Sequence, residues 1–419
     1  MLNNNGSFAK ILSEMKAIKS ILIFTIFFGF NSILSAQENT FSFKWDNGFK
    51  LENKDKTIKF KFGGRVMVDN AFMQQDSGLD TQFGKLTTTS AVEIRRARLF
   101  FSGTLFKNTE FKLDLGFEGG KVALKDVYVG IKNIPVVGTL RVGNVKEPFR
   151  FEMLTSSKYI TFMERSLISD YSPTRNNGIL LFNEFHNNRI GFQTGLFRNA
   201  DGNTANDKMA NNGYVFTSRI TGLPINNINK KQLLHLGLGY SHRVSDTKEY
   251  SVASRPEAHL SSVKYTNTGT IMNVDNVNLM NAEVVFTQGA FSAQAEYLNA
   301  KVNANTTYNF SSYYMELGYF LTGEHKKYKS SYAGFGRLKP KNNFGSKENK
   351  GIGAWEVALR YSNSDYNNKD IFGGEQSDIT LGLNWYLNSA TRIMLNNVFV
   401  DVKDGGKATI FQARIQLDF

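Results

Sequence analysis

The sequence predicts an all-β protein, a 16-stranded antiparallel transmembrane β-barrel with inward-folded loops. Three observations lead to this prediction. After about residue 56, apolar and polar residues alternate with a period of two, as in strands with one apolar and one polar face. The chain begins with the pattern of an export signal. It ends on an aromatic residue, Phe419, which completes one of these alternating segments.

The composition argues against several other classes of protein. The 419 residues include 50 Lys plus Arg against 37 Asp plus Glu, a net charge of +13, with 13% aromatic residues and only 6 prolines. So many aromatic residues and so few prolines are not typical of a disordered chain. Cysteine is absent, and the 5 histidines show no HExxH-like spacing. We therefore expect no disulfide, no metal site and no cofactor.

The N-terminus has the pattern of a cleaved secretory signal peptide. Lysines precede an apolar run at 21–30, and a small-residue site ends at Ala36. The alternative is a permanent membrane anchor, but roughly 14 apolar residues are too few to span a bilayer of about 30 Å. We expect three regions, namely a signal peptide at 1–36, an N-terminal periplasmic segment at 37–55 and the transmembrane barrel at 56–419.

Alternation defines each strand of the predicted barrel. Ile379, Leu381 and Leu383, for example, are separated by Thr380 and Gly382. An outward apolar face suits lipid, an inward polar face suits water, and closure leaves no unpaired backbone edge in the hydrocarbon. A secreted β-sandwich is the alternative. We count sixteen strands, near 56–75, 90–105, 109–118, 123–132, 137–146, 177–186, 189–198, 212–222, 232–243, 277–287, 290–301, 307–322, 352–363, 376–388, 391–402 and 407–419.

An even number of strands gives the connections the alternation of short and long that is typical of a membrane barrel. Segment 256–266 also resembles a strand, but bacterial single-chain barrels normally have an even number. Without it, most turns after even-numbered strands are short, as periplasmic turns are, and the long connections follow odd-numbered strands, as extracellular loops do. These long loops are predicted at 147–176, 199–211, 244–276 and 364–375.

One long connection, 323–351, falls on the periplasmic side and is strongly basic. It carries 8 Lys and Arg against 2 Glu, which is more than half of the net charge of +11 that remains after residue 36. Two interpretations are open, a solvated flexible turn or a segment that folds into the lumen and attracts anions to the periplasmic exit. The candidate residues are Lys326, Lys327, Lys329, Arg337, Lys339 and Lys341.

Several arginines alternate with apolar residues and are predicted to point inward, because an arginine facing lipid costs roughly 2–4 kcal/mol at the bilayer midplane. In the run 93–98, strict alternation places Arg95 opposite to Arg96 and Arg98, whereas a β-bulge would bring all three into the lumen. The planar guanidinium matches phosphate oxygens. The candidate pore-lining, anion-binding residues are Arg65, Arg95, Arg96, Arg98, Arg141, Arg219 and Arg360. They could instead pair with inward acids, namely Asp114, Glu118, Asp126, Glu283, Glu296, Glu316 and Glu356.

Short motifs give the chain a family resemblance. They are LRVGNVKEPF at 140–149, TFMERSL at 161–167 and SPTRNNG at 172–178, with EIRRAR at 93–98 and GAWEVALRYS at 353–362. The chain resembles the family of phosphate-selective porins O and P over nearly all of 56–419. The resemblance implies a trimeric, sixteen-stranded outer-membrane porin. It also implies that the third and fifth extracellular loops and a long periplasmic turn fold into the channel, and these match 147–176, 244–276 and 323–351.

The resemblance also suggests roles for individual residues. Arg95 and Arg96 match the paired arginines of the family's pore-lining row, and Arg65 and Arg219 match by strand position only. The family's constriction uses lysines and an acid, for which the third-loop segment offers the candidates Lys146, Arg150, Lys158 and Arg165. That segment is charge-balanced, which weakens the expectation of strict phosphate selectivity.

The leading functional hypothesis is an outer-membrane channel, not an enzyme, for the passive and anion-preferring diffusion of phosphate-like solutes. The expected partners are small anions, outer-membrane lipid and lipopolysaccharide, and two further copies in a homotrimer, but not nucleic acid. The alternative is a general, weakly selective porin whose arginines are neutralised by acids. A barrel enzyme is a distant alternative, because His235 has no Ser-plus-acid pattern near it. An adhesin is equally distant, because the loops are short.

Overall fold

The computed structural model describes residues 41–198, 213–346 and 351–419. The predicted signal peptide lies outside the described residues. Within them, sixteen strands form an antiparallel sheet closed by pairing of the last strand with the first, with Asp418 opposite Arg65. The predicted fold class is confirmed. The strands are β1 (Lys59–Gln75), β2 (Ser90–Leu105), β3 (Thr109–Gly116), β4 (Ala123–Ile134), β5 (Gly138–Lys146), β6 (Arg175–Phe185), β7 (Ile190–Arg198), β8 (Tyr214–Asn227), β9 (Gln232–Val244), β10 (Asn276–Gln288), β11 (Phe291–Asn303), β12 (Thr307–Phe320), β13 (Ala354–Asn368), β14 (Ile371–Tyr386), β15 (Thr391–Val402) and β16 (Gly406–Asp418).

The pattern of burial is inverted relative to a water-soluble protein. On β14, Ile379 and Leu381 are 45% and 47% exposed, while the neighbouring polar residues Asp378 and Thr380 are fully buried. Apolar side chains on the outside and polar ones inside are expected of a barrel whose outer surface meets lipid. The period-two alternation thus places the polar residues in the lumen. No helix among the described residues is long and apolar enough to cross a membrane.

The connections follow the predicted alternation of long and short, with one correction. The turn between β10 and β11 consists of Gly289 and Ala290, and the loops after β5 and β9 span 147–174 and 245–275. Segment 256–266 lies in the second of these loops and is not a barrel strand, as predicted. The predicted loop at 364–375 is wrong, because β13 and β14 continue to a turn at 369–370, with Asn367 opposite Phe372. Polar strand ends read as a loop because alternation is lost there. The predicted loop at 199–211 lies outside the described residues.

A short hairpin precedes the barrel. Its strands, Phe41–Trp45 and Phe49–Asn53, extend the sheet along the start of β1, with Phe49 opposite Phe62. In the described part of the chain, two α-helices lie in connections, at Ser77–Phe83 and Phe151–Leu154. The division between an N-terminal segment at 37–55 and the barrel stays a prediction, although the hairpin pairs directly with the barrel sheet.

Three connections fold into the lumen, as predicted. They are loop three (147–174), loop five (245–275) and the described parts of the basic turn (321–346 and 351–353). Loop three packs against β11 and β12, where Phe149 and Tyr171 share a buried cluster with Leu298. In the basic turn, Phe335 packs edge-on against Phe151 of loop three, with 5.1 Å between the ring centroids. The basic segment is therefore not a free solvated turn but an ordered part of the barrel interior.

Candidate functional site: a basic channel beside the folded-in loops

A cavity of about 870 Å³ lies between loop three and the inner face of β1–β6. Its described lining contains fourteen Lys and Arg side chains against five Asp and Glu. Ten of the basic residues lie on barrel strands, and we use the name basic wall for seven of them: Arg65, Arg95, Arg96, Arg98, Lys112, Arg141 and Arg175. A cavity lined mainly by one sign of charge concentrates ions of the opposite sign.

The three clustered arginines of β2 all face this cavity because β2 contains a bulge. Met67 of β1 pairs with Arg96 and the next residue, Val68, pairs with Ile94, so Arg95 is the extra residue. The apolar residues on either side of the bulge remain outside, since Ile94 and Leu99 are both exposed. Of the two arrangements left open for this run, the structure has the bulge. Strict alternation would divide this run between the two faces of the sheet. The bulge instead directs all three guanidinium groups inward.

Arg95 and Arg98 are held by acids. Arg95 donates to both carboxylate oxygens of Glu164 in loop three, at 2.7 and 2.8 Å. Arg98 donates to Glu118, with a shortest distance of 2.7 Å. The neighbouring positive charges hold the pKa of Glu164 well below its usual range despite its burial, so this acid stays ionised. Both arginines are therefore fixed in position, and part of their charge is compensated.

Arg65 and Arg96 converge on a hydroxyl group of loop three. Each donates to the Ser157 Oγ, at 2.8 and 3.1 Å. Arg65 lies 3.9 Å from Asp114, whereas no carboxylate of the described residues lies within ion-pair distance of Arg96. The buried Nη1 of Arg96 also has no hydrogen-bond partner within the described part of the chain. This pair of guanidinium groups is the least compensated positive charge on the basic wall.

Arg141 lines the cavity among aromatic rings. Its guanidinium lies 4.4 Å from the ring centroid of Tyr128 and 4.9 Å from that of Phe182, and its Nε donates to Glu110 at 2.7 Å. These contacts fix the plane of the guanidinium group.

Arg219 and Arg360 also point inward, but neither lines the cavity. Arg219 donates to Glu283 at 2.9 Å and to the Ser331 carbonyl of the basic turn at 2.8 Å. Arg360 donates to Glu257 of loop five at 2.9 Å. Both side chains are 1% exposed. Alternation gave their direction correctly but could not show that loops cover them, and the anion-binding role assigned to them stays a prediction.

The four loop-three candidates occupy different environments. Lys146 and Arg165 line the cavity, and the Lys146 ammonium is held by the carbonyls of Met153 and Leu154 at 2.6 and 3.0 Å. Arg150 is fully buried away from the cavity. Lys158 lies over the rings of Phe100 and Tyr159. Burial lowers the pKa of Lys158 to about 7. Of the four, Lys146 and Arg165 are therefore the two whose side chains border the cavity directly.

The candidates of the basic turn are similarly divided. Lys329 lines the cavity. Lys326 is buried beside Glu356, and Arg337 forms an ion pair with Asp418 at the end of β16. Lys327, Lys339 and Lys341 are exposed. Most of the positive charge of the turn therefore anchors it or faces solvent, and does not line the cavity.

The predicted set missed several lining residues. Lys112 and Arg175 both donate to Asp126, at 2.7 and 2.6 Å. Lys112 could have been found, since it alternates with Phe111 and Leu113. The other missed basic residues are Lys50, Lys59, Lys61 and Arg255. Arg255 lies in loop five, where no periodicity indicates direction.

His235, the histidine considered for catalysis, belongs to a buried polar network. Its two ring nitrogens lie 2.9 Å from the Glu283 carboxylate and 3.1 Å from the Tyr328 hydroxyl. In the described part of the chain, no cluster of three or more His, Asp or Glu side chains could hold a metal ion.

A closed barrel with an apolar exterior and a charged, cavity-containing lumen defines a channel of the outer membrane, and this is where the protein resides. The family model for phosphate-selective porin O and P matches residues 66–419. The chain belongs to this family, and the resemblance inferred from its motifs is confirmed.

Individual relatives agree with this assignment. Porin O of Pseudomonas aeruginosa is 27% identical over 387 residues, which cover 84% of either chain. An uncharacterised protein of Caulobacter vibrioides is 28% identical over 402 residues, covering 90% of this chain and 76% of that protein.

Solved structures share the fold at low identity. A loop-deletion mutant of OmpT, an outer membrane protein of Vibrio cholerae, gives a TM-score of 0.56 at 11% identity, covering 87% of this chain and all of that one. An anion-selective porin from Comamonas acidovorans gives a TM-score of 0.51 at 12% identity, covering 86% of this chain and all of that one. At such identities these likenesses show the fold alone.

Proposed function

We propose that this porin conducts small anions in preference to cations, with phosphate or polyphosphate as the expected solutes. The observation that supports this is the excess of fourteen basic over five acidic side chains in the described cavity lining. In a narrow cavity with low-dielectric walls, such an excess raises the local concentration of anions and lowers that of cations.

The uncompensated cations matter most for this preference. Arg96, Lys146, Arg165 and Lys329 line the cavity, and none forms an ion pair with a carboxylate of the described residues. Several moderate sites in series favour conduction, because a solute that binds each of them weakly can also leave. The planar forks of Arg65 and Arg96, together with the Ser157 hydroxyl, match the oxygens of a phosphate.

A second candidate is a general, weakly selective porin. It is favoured by the pairing of Arg95, Arg98 and Arg141 with Glu164, Glu118 and Glu110. The two candidates predict different reversal potentials for the same protein.

The test is the reversal potential of the purified channel in a planar bilayer with a KCl gradient, followed by addition of phosphate. We expect a reversal potential that lies toward the chloride equilibrium potential. We also expect that added phosphate reduces the chloride current. In a variant with Arg95→Ala and Arg96→Ala, both effects should weaken. Lys407→Ala, at an exposed position on β16, is the matched control. A potassium-side potential for the wild type contradicts the proposal, and a value near zero favours the general porin.

We also propose a homotrimer in contact with outer-membrane lipid and lipopolysaccharide. The resemblance supports this, and one solved form of the Vibrio cholerae OmpT is a trimer. Native mass spectrometry of the detergent-extracted protein tests it, with a monomer as the contradicting result.

A further inference from the structure

A second set of inward charges has the opposite sign and lies across the barrel from the basic wall. We call it the acid wall, and it consists of one glutamate on each of four consecutive strands: Glu283 on β10, Glu296 on β11, Glu316 on β12 and Glu356 on β13. Glu283 and Glu296 are direct partners in the strand register. All four are at most 6% exposed, and none lines the cavity.

Loop three covers the acid wall through direct bonds. Arg150 donates from Nε to Glu296 at 2.6 Å, and the backbone N–H of Glu152 donates to the other oxygen of the same carboxylate at 2.7 Å. Nine residues further along the loop, the Thr161 hydroxyl donates to Glu316 at 3.0 Å. Two of the four acids are thus bonded to the loop that borders the channel.

The basic turn contacts two members of the wall, Glu316 and Glu356, through one lysine. The Lys326 ammonium lies 3.3 Å from Glu356 and 4.0 Å from Glu316. It also donates to the Thr161 hydroxyl at 2.6 Å. Lys326 therefore joins the turn, loop three and two members of the acid wall at one point.

We infer that Arg150 and Lys326 are positioning residues for ion selection, because they hold loop three and the basic turn over the acid wall. This inference rests on the proposed anion preference and extends it. With the cover in place, the channel meets mainly the basic wall. Without it, Glu296, Glu316 and Glu356 would face a wider lumen and offset a third of the basic excess of the lining, while Glu283 would keep its partner Arg219 on β8. The same barrel would then conduct more current with less preference for anions.

The test compares two pairs of substitutions that remove the same ion pairs from opposite sides. Arg150→Met with Lys326→Met removes the cations and leaves the acids, whereas Glu296→Gln with Glu356→Gln removes the acids. We expect both pairs to raise single-channel conductance. The chloride-to-potassium permeability ratio should fall by roughly twofold or more in the first pair and much less in the second, because the second pair neutralises two of the carboxylates that it uncovers. Lys341→Met, at an exposed position of the same turn, is the control.

A second measurement reports the cover directly and distinguishes the possible failures. The chain has no native cysteine, so Ser292→Cys introduces a single thiol at a buried inward position of β11. We expect slow labelling by a charged thiol reagent in the otherwise wild-type channel and fast labelling with Arg150→Met or Lys326→Met alone. Equal labelling in all backgrounds, or equal permeability ratios for the two substitution pairs, overturns the inference. A wild type without anion preference instead overturns the proposed function, whatever the labelling shows.

Discussion

The side chains of the basic wall and of the acid wall both point into the barrel, but only those of the basic wall line the cavity. Both consist of inward charged side chains on neighbouring strands. The basic wall on β1–β6 lines a cavity of about 870 Å³, whereas the four glutamates on β10–β13 are buried under loop three and the basic turn. Strand alternation thus decides which side of the barrel a residue faces, while the folded-in loops decide whether its side chain can meet the solute.

The two walls also differ in how their charges are stabilised. A buried carboxylate is tolerated only when cations and hydrogen-bond donors surround it, so each covered acid needs a specific partner from a loop. On the basic wall, Arg96 alone has no carboxylate partner among the described residues, although it lines the cavity. Substitutions on the covered side should therefore mainly change the stability of the protein, and substitutions on the open side should mainly change ion selection.

The largest effect is expected where a covered charge loses its partner. Arg360→Met leaves the buried Glu257 carboxylate without the guanidinium that lies 2.9 Å away. Breaking a buried ion pair from one side costs about 3–5 kcal/mol. Urea unfolding in lipid vesicles should show a correspondingly lower midpoint. The double variant with Glu257→Gln should recover part of the loss, and an unchanged midpoint in Arg360→Met would contradict the assignment.

A smaller effect is expected from matched substitutions on the two walls. Arg141→Met removes a cation that lines the channel, and should lower the chloride-to-potassium permeability ratio by roughly one and a half to twofold. Glu283→Gln removes a covered acid, and should leave the ratio unchanged although it weakens the contact with Arg219. Reversal potentials of both variants check this. If the permeability ratio changed by the same amount in both variants, the loop cover over Glu283 would have no effect on ion selection.

The smallest effect is a dependence on pH. Burial lowers the pKa of Lys158 to about 7 and raises that of Asp170, which lines the cavity, to about 6. From pH 5 to 8 the lysine loses its positive charge and the aspartate gains a negative one. Both changes reduce anion preference, so the permeability ratio should fall modestly as the pH rises.

Lys158→Met and Asp170→Asn separate the two titrations. The first should remove the fall near pH 7 and the second the fall near pH 6, while Lys339→Met should leave both. A ratio that rises with pH in the wild type would contradict this account.

Much of this architecture could be predicted from the sequence. Alternation located the strands to within a few residues for most of the barrel, and the even strand number excluded 256–266. The free-energy cost of an arginine that faces lipid favoured an inward direction for Arg95, Arg96 and Arg98, and a bulge in the strand was one way to allow it for all three. The pairing of inward arginines with acids was kept open as an alternative, and the structure shows such pairs for Arg95, Arg98 and Arg219.

The rest depended on contacts between residues far apart in the chain. Arg219 and Arg141 have the same alternation, yet one is covered by the basic turn and the other lines the cavity. Arg150 and Arg165 lie in one loop, yet only Arg165 faces the channel. No local pattern encodes which face of a folded-in loop turns toward the wall. The extension of β13 and β14 was missed because their polar ends carry no alternation.

One wall of the lumen lines the cavity, whereas the opposite wall is covered by loops, and this difference can be measured. Two single-cysteine channels test it most directly, Ser102→Cys on β2 in the cavity lining and Ser292→Cys on β11 near the acid wall. With a charged thiol reagent, we expect rapid labelling at position 102 and little at position 292 on the same timescale. Equal labelling rates at the two positions would contradict it.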